Sequence, residues 1–308
     1  MAERHMRFVG VTTGSSSIMT VFPRWSQALG LDAALVGVDL PLDAPAERYR
    51  AAVRDMRDDE TCAGALVTTH KIALHDAAHD LFDELDEFAR RTGEISSVAL
   101  RPSGPGGGRT VHGAAKDPLT AGLALEEVLA ADHFAAGGEV LCLGAGGAGT
   151  AICWYLTSRP DAPHRLTVVD VDAARLTHLR EVVAAHAPEA ELVTAGPHEV
   201  RALVEGLPPH SLVVNATGLG KDRPGSPVPA ATTFPADAVV WELNYRGTLE
   251  LLHHARSQES ARRLRVVDGW RYFVHGWTQA VSEVFGVPMD APTLEELSRL
   301  AEDVRGPG

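Results

Sequence analysis

Short apolar runs alternate with amphipathic stretches along most of the chain. Phe8-Val9-Gly10-Val11, Ala34-Leu35-Val36-Gly37-Val38 and Gly64-Ala65-Leu66-Val67 each read as a strand, and residues 47–56 between them carry apolar and charged positions on a helical period. Strands separated by helices of this length predict parallel βαβ units. Ser96-Ser97-Val98-Ala99-Leu100 and Arg109-Thr110-Val111-His112-Gly113 predict two further strands. The Gly- and Pro-rich stretch 101–108 joining them reads as a hairpin loop rather than a linker. A helical run over 118–129 leads to Glu139-Val140-Leu141-Cys142-Leu143, the most strand-like segment in the chain. Strand, helix and strand then alternate to about residue 243, and the tail from Gly269 is mainly helical. No internal repeat occurs.

At 308 residues, two domains are the natural expectation. The hydrophobic share of 45% supplies apolar material for two cores, and the formal charge of −13 argues against nucleic acid or an anionic membrane as partner. Three cysteines without a CxxC spacing make a disulfide framework or structural zinc improbable, and the fourteen histidines show no ligand spacing, so no metal is expected. Met1-Ala2-Glu3-Arg4-His5-Met6 lacks an apolar leader and no stretch is long enough to span a membrane, so a cytoplasmic location is the default expectation.

The chemistry-bearing motif is Gly144-Ala145-Gly146-Gly147-Ala148-Gly149, set between the strand 140–143 and an apolar helix over 150–156. In a dinucleotide-binding turn the first glycine makes the bend, the second admits the pyrophosphate, and the third lets helix pack on strand. The helix N-terminus then offers N–H groups and a positive dipole end to the phosphates. The next strand, Leu166-Thr167-Val168-Val169, ends in Asp170, 21 residues beyond Gly149. A carboxylate there accepts hydrogen bonds from ribose hydroxyls and repels a 2′-phosphate, which favours NAD over NADP. The alternative is a strand-end acid capping the following helix, a job Asp172 could share.

With these residues in place, the chain resembles the shikimate/quinate dehydrogenase family over nearly its whole length, as a divergent member. Ala65-Leu66-Val67-Thr68-Thr69-His70-Lys71 is similar to the family's NVTxPHK, and Ala115-Lys116-Asp117 to its NTD. The glycine turn looks like GAGGA, Val214-Asn215-Ala216-Thr217-Gly218-Leu219-Gly220 like the NATPLG loop, and Val267-Asp268-Gly269 like the closing substrate segment. The order and spacing of these motifs carry the resemblance; no single one does.

The resemblance implies an α/β fold: a substrate domain over 1–116, an inserted Rossmann domain over 117–268, and a helical segment over 269–308 returning to the first domain. It implies reversible hydride transfer between a ring alcohol and its ketone, with Lys71 and Asp117 at the reacting hydroxyl. A solvated lysine after a strand and an aspartate capping a helix ahead of Pro118 are the structural alternatives for these two. Carried over position by position, Asn215, Ala216, Thr217, Gly218, Leu219 and Gly269 join the glycine turn around the cofactor. Thr68, Ser96, Tyr245, Tyr272 and Gln279 fall in the substrate set. The serine pair for a substrate carboxylate maps onto Ser15-Ser16-Ser17 in either of two registers. Ungapped, Ser16 takes the first position and Ile18 the second; shifted by one, Ser15 and Ser17 fill both.

Where the family has amides that hold ring hydroxyls, this chain has Ala65, Ser96 and Ala115, and Gly276 replaces its substrate glutamine. Loss of such partners alters selectivity sharply. The expected substrate is therefore a related cyclitol or other polyhydroxylated ring compound rather than ordinary shikimate. Lys116 and Arg271 would either add positive charge near it or sit solvated at the surface. The family's NRT segment reads Asp170-Val171-Asp172, so the arginine for a 2′-phosphate is missing, while Arg175 keeps NADP in play. Two other readings compete: a nicotinamide-binding sensor without turnover, and a folate-type methylene dehydrogenase. Nothing in the sequence specifies oligomeric state, and a homodimer stays open. Trp25, Trp270 and Trp277 line a site or fill cores, and His70, beside Lys71, is read as a packing or surface residue in preference to one that orients substrate.

Overall fold

The computed structural model describes residues 4–104, 107–221 and 223–305. Pro105 and Gly106 of the hairpin loop, and Met1-Ala2-Glu3 of the segment read for a leader, lie outside them. Two compact units result, one formed by the chain up to Lys116 together with the stretch from Val274 onward, the other by Asp117–Phe273.

In the first unit six strands form one sheet: β1 (Arg4–Gly10), β2 (Ala33–Asp39), β3 (Cys62–Val67), β4 (Glu84–Leu85), β5 (Ser97–Pro102) and β6 (Arg109–Ala114), in the order β2-β1-β3-β5-β6-β4. β1 pairs in parallel with β2 and β3, as the strand–helix alternation predicts, and β5 and β6 form the expected antiparallel hairpin. β3 is buried along its whole length, which is why its residues form an unbroken apolar run. Helices α1 (Ile18–Ala28), α2 (Ala46–Asp58), α3 (Lys71–Ala78) and α4 (Glu87–Thr92) connect the strands. Tyr49, Val53 and Met56, on one face of α2, join Leu74 and Ala78 of α3 in the core beneath β3. Trp25 and Trp277 are core residues: their rings meet edge to face at 6.3 Å, and the Trp25 indole donates to the Leu297 carbonyl at 2.8 Å.

The second unit opens with α5 (Asp117–Val128) and continues β7 (Val140–Leu143), α6 (Gly147–Ser158), β8 (Arg165–Val169), α7 (Ala173–His186), β9 (Glu191–Ala195), α8 (Val200–Gly206), β10 (Leu212–Asn215), β11 (Val239–Glu242), α9 (Glu250–Arg262) and β12 (Arg265–Val267). All strand pairs are parallel, in the order β12-β11-β10-β7-β8-β9. This is the doubly wound dinucleotide-binding order, with its topological switch between β7 and β10. Alternate residues feed two cores. Val140, Cys142, Leu212, Val214 and Trp241 pack on one face, and Leu141, Leu143, Val213 and Val240 on the other. The three cysteines are buried and unbridged. The chain ends in α10 (Trp270–Phe285), which straddles the division between the units, and α11 (Ala291–Arg305). Among the described residues no helix is long and apolar enough to cross a membrane.

Candidate active site

The glycine turn links β7 to α6 at the switch point. Gly144 has φ +107°, its N–H donates to the Val169 carbonyl at 2.7 Å, and a Cβ there would lie 2.7 Å from the Ala216 carbonyl carbon. A Cβ on Gly149 would come 2.0 Å from the Gly144 oxygen. Sterics therefore demand both glycines. Gly146 is different: its φ of −76° suits any residue, and an added Cβ would meet nothing within 4 Å. Gly146 is the N-cap of α6, where glycine is one of several favoured residues, and its bare side leaves room for a pyrophosphate to approach the backbone. The turn thus fits a dinucleotide on its own geometry.

Asp170 follows β8 and does two things at once. One carboxylate oxygen accepts the Ala145 N–H at 2.7 Å and the other the Asp172 N–H at 2.9 Å, so the side chain ties the end of β8 to the glycine turn. Each oxygen keeps a second lone pair for a ligand hydroxyl. Asp172 is the N-cap of α7, accepting from the N–H groups of Ala174 and Arg175. The helix-capping alternative thus falls on Asp172. Arg175 is exposed, its guanidinium 3.6 Å from Asp172, and Val171 stands 85% exposed between the two acids.

Beyond β10, Asn215 organises the loop 215–220. Its Oδ1 accepts the Thr217 N–H at 3.0 Å and the Thr217 hydroxyl at 2.7 Å, while the Leu219 N–H donates to Thr217 Oγ1 at 3.1 Å. Gly218 and Gly220 take positive φ, and the Ala216 N–H donates to the Leu143 carbonyl. Sequence reasoning missed what stands behind this loop. Glu242, wholly buried at the end of β11, accepts from the Asn215 amide at 2.7 Å and from the Asn244 N–H at 2.8 Å. Burial pushes its carboxyl up to about 7, against the pull of those hydrogen bonds. An acid closing the apolar run Val239-Val240-Trp241 was the available signal. Gly269 permits close approach, since a Cβ there would lie 1.8 Å from the Leu243 oxygen.

In the first unit, Lys71 is the first residue of α3, directly after β3. The Thr68 N–H donates to the Val9 carbonyl, the Lys71 N–H to the Thr68 carbonyl, and the Ile95 N–H to the Lys71 carbonyl, which fixes this corner. His70 beside it is buried, with Nε2 2.9 Å from the Leu40 carbonyl and Nδ1 2.9 Å from the Tyr49 hydroxyl. A carbonyl can only accept, so Nε2 carries the proton and the Tyr49 hydroxyl donates to Nδ1. That makes His70 a packing residue that anchors the lysine corner. Asp117, in the second unit, opens α5 and is buried to 4% exposure, with Pro118 following it.

The remaining positions divide. Asp39, at the end of β2, accepts from the N–H (2.8 Å) and hydroxyl (2.6 Å) of Thr13 in the loop after β1, bonds that hold its carboxyl below the usual range. Ser15 is exposed and donates to the Thr12 carbonyl, Ser16 and Ser17 are half-buried, and Ile18 is buried in the core at the start of α1. In the ungapped register, therefore, the second serine position is a core side chain. The Thr68 hydroxyl turns back to the Val9 carbonyl at 3.3 Å, and the Ser96 hydroxyl accepts the Lys116 N–H at 2.7 Å. Ala65 and Ala115 are fully buried. Tyr272 packs in the second unit's core with its ring 5.8 Å from Trp241, and Tyr245 stacks edge-on against Trp270 and Phe273. Trp270 is buried as well. Gln279 lies half-buried on α10. Neither extra cation serves as free positive charge. Lys116 pairs with Glu283 at 2.7 Å and Asp86 at 3.9 Å, and Arg271 with Glu127.

A doubly wound unit with this turn, joined to a second α/β unit bearing a lysine at a strand–helix corner, defines a nicotinamide-dependent oxidoreductase. Comparison with known proteins gives the family. The chain is 32% identical over 267 residues to the shikimate dehydrogenase (NADP(+)) of Methylobacterium radiotolerans, covering 86% of each chain. It belongs to the shikimate dehydrogenase family and is an NAD(P)-dependent oxidoreductase of the shikimate/quinate dehydrogenase type. Among solved structures it superposes on the quinate dehydrogenase of Corynebacterium glutamicum in complex with NAD with a TM-score of 0.74 and 21% identity, covering 98% of this chain and 99% of that one. The ligand-free 5-ketofructose reductase of a Gluconobacter strain gives a TM-score of 0.66 and 19% identity over 99% of both chains. No family model matches the chain.

Proposed function

We propose that the protein catalyses reversible, NAD-linked oxidation of a secondary alcohol on a ring related to shikimate and quinate, with altered substrate selectivity. The observation that carries the cofactor reading is Gly146, whose missing side chain leaves open space at the mouth of an otherwise sterically enforced turn. Asp170 and the exposed Val171 favour NAD: a carboxylate for ribose hydroxyls, and no guanidinium at the residue that follows it, Arg175 lying further on beside Asp172. The NADP-linked name of the Methylobacterium relative points the other way, so both coenzymes belong in the test. Asp170→Ala is expected to weaken NADH binding more than NADPH binding, read by fluorescence titration. An equal loss for both would remove the ribose role.

When bound, the nicotinamide takes or gives the hydride; the chain's residues handle the proton. In oxidation, Lys71 as the neutral amine accepts the hydroxyl proton. In reduction, the Lys71 ammonium stabilises the developing alkoxide and then protonates it.

Selectivity follows from what is absent. Ala65 and Ala115 offer no polar side-chain atoms, and the Ser96 hydroxyl is engaged by backbone. Hydroxyls that the family reads with amides have no side-chain partner at these positions. A screen of shikimate, quinate and other cyclitols with NAD and NADP, followed at the reduced-nicotinamide absorbance, is expected to find a ring substrate turned over in preference to shikimate. Shikimate turnover with an ordinary KM would overturn this.

A further inference from the structure

We propose that Glu242 is a positioning residue for the cofactor: as a carboxylate it clasps loop 215–220 against the glycine turn, so that dinucleotide affinity follows its ionisation. The inference rests on the reading that the dinucleotide runs over that turn.

The clasp is a closed chain of hydrogen bonds. The Asn215 amide cannot be reversed, because its oxygen faces the Thr217 N–H and hydroxyl and its nitrogen faces the Leu219 carbonyl at 3.2 Å. The same nitrogen must therefore donate to Glu242 Oε2, and the Asn244 N–H, a fixed backbone donor, takes Oε1. The Asn244 side chain closes the ring by donating to the Leu219 carbonyl at 2.8 Å. Both Glu242 oxygens thus face donors. A proton on either oxygen needs an acceptor, and the groups bonded to Glu242 present donors instead.

The loop held in this way abuts the glycine turn. A Cβ on Gly144 would lie 2.7 Å from the Ala216 carbonyl and 2.9 Å from the Thr217 nitrogen. A shift of the loop is therefore felt at the first glycine of the turn. The charged group facing Glu242 is Asp268, after β12, an anion that opposes ionisation; from β10 and the residues after β11 come the uncharged Asn215 and Asn244. Lys221, at the end of the loop, sets its ammonium 5.3 Å from the Phe273 ring centroid.

Two opposing pH effects follow. The carboxyl titrates near 7 in the fold, against about 4.5 unperturbed, so the fold favours the protonated form. Its contribution to stability is complete below about 4.5 and is lost as pH rises through about 7. Dinucleotide binding favours the ionised form, so affinity rises over the window in which stability falls, and binding near pH 7 releases a proton.

The test is NADH binding by fluorescence titration between pH 5.5 and 8.5, with calorimetry in two buffers of different ionisation enthalpy to count protons. NADPH is run in parallel. Wild type is expected to bind about tenfold more tightly at the alkaline end and to release a proton near pH 7, a tenfold change being about 1.4 kcal/mol. Glu242→Gln keeps the shape but turns a donor toward one of the two donors; it is expected to bind about tenfold more weakly and without that pH dependence. Should the variant fail to fold, the wild-type profile alone decides. A flat wild-type profile without proton release, or a Gln variant with wild-type affinity and profile, overturns the proposal. Failure of wild type to bind either dinucleotide at any pH overturns the cofactor reading instead.

Discussion

Lys71→Ala is expected to lower ketone reduction by roughly 100- to 10,000-fold, the range that loss of a proton-transferring side chain produces, while NADH still binds with near wild-type affinity. The two effects separate because of where the residues stand. Lys71 sits at the β3–α3 corner of the first unit, and the glycine turn belongs wholly to the second. The corner is held by backbone hydrogen bonds of Thr68, Lys71 and Ile95 and by the buried His70–Tyr49 pair, none of which needs the lysine side chain. A thermal melt of the variant beside wild type separates loss of chemistry from loss of fold. The assay uses the best substrate from the cyclitol screen, with kcat and NADH affinity measured on the same preparation. Turnover within a few-fold of wild type would remove Lys71 from the proton path. Loss of NADH binding would mean the corner acts through structure.

The second large effect separates Gly146 from Gly149, two glycines of one motif with different roles. Gly146→Val is expected to leave the melting temperature almost unchanged and to weaken NADH by at least about tenfold, because its side chain enters space that protein atoms leave empty. Gly149→Ala is expected to do the reverse at first: a Cβ 2.0 Å from the Gly144 oxygen forces α6 away from the turn. Overpacking of this kind costs about 1–3 kcal/mol or more, several degrees of melting temperature, with cofactor affinity falling as a consequence. Thermal melts with and without NADH check both. A Gly146→Val protein that binds NADH normally would refute the pyrophosphate role.

How much of this was legible beforehand depends on whether a residue acts through its backbone or its side-chain direction. The turn, its flanking strand and helix, and Asp170 at the end of β8 were readable because each is a backbone event with a fixed spacing. The parallel order of the second unit followed from the same alternation of apolar runs and helices. Side-chain direction was not readable. In NVTxPHK the ungapped threonine position is Val67, fully buried, and the neighbouring Thr68 offered as a substrate contact spends its hydroxyl on the Val9 carbonyl. One residue along a strand reverses the face. Tyr272 could be placed on a helix by its neighbours, but only packing shows its ring against Trp241 in the core. Glu242 was missed because an acid after three apolar residues reads as the exposed end of a strand, whereas here Asn215 and Asn244 wait for it. Lys116, read either as added charge or as a solvated surface residue, is half of an ion pair with Glu283.

Asp170 carries a constraint on how coenzyme selection can change in this chain. Because the Asp170 carboxylate also receives the Ala145 and Asp172 N–H groups, exchanging it for a neutral or basic residue would loosen the turn along with any contact to ribose. Val171, one residue later, is almost fully exposed, so its side chain can be exchanged with little effect on packing. Whichever coenzyme the chain uses, the discriminating position is therefore guarded at Asp170 and open to change at Val171.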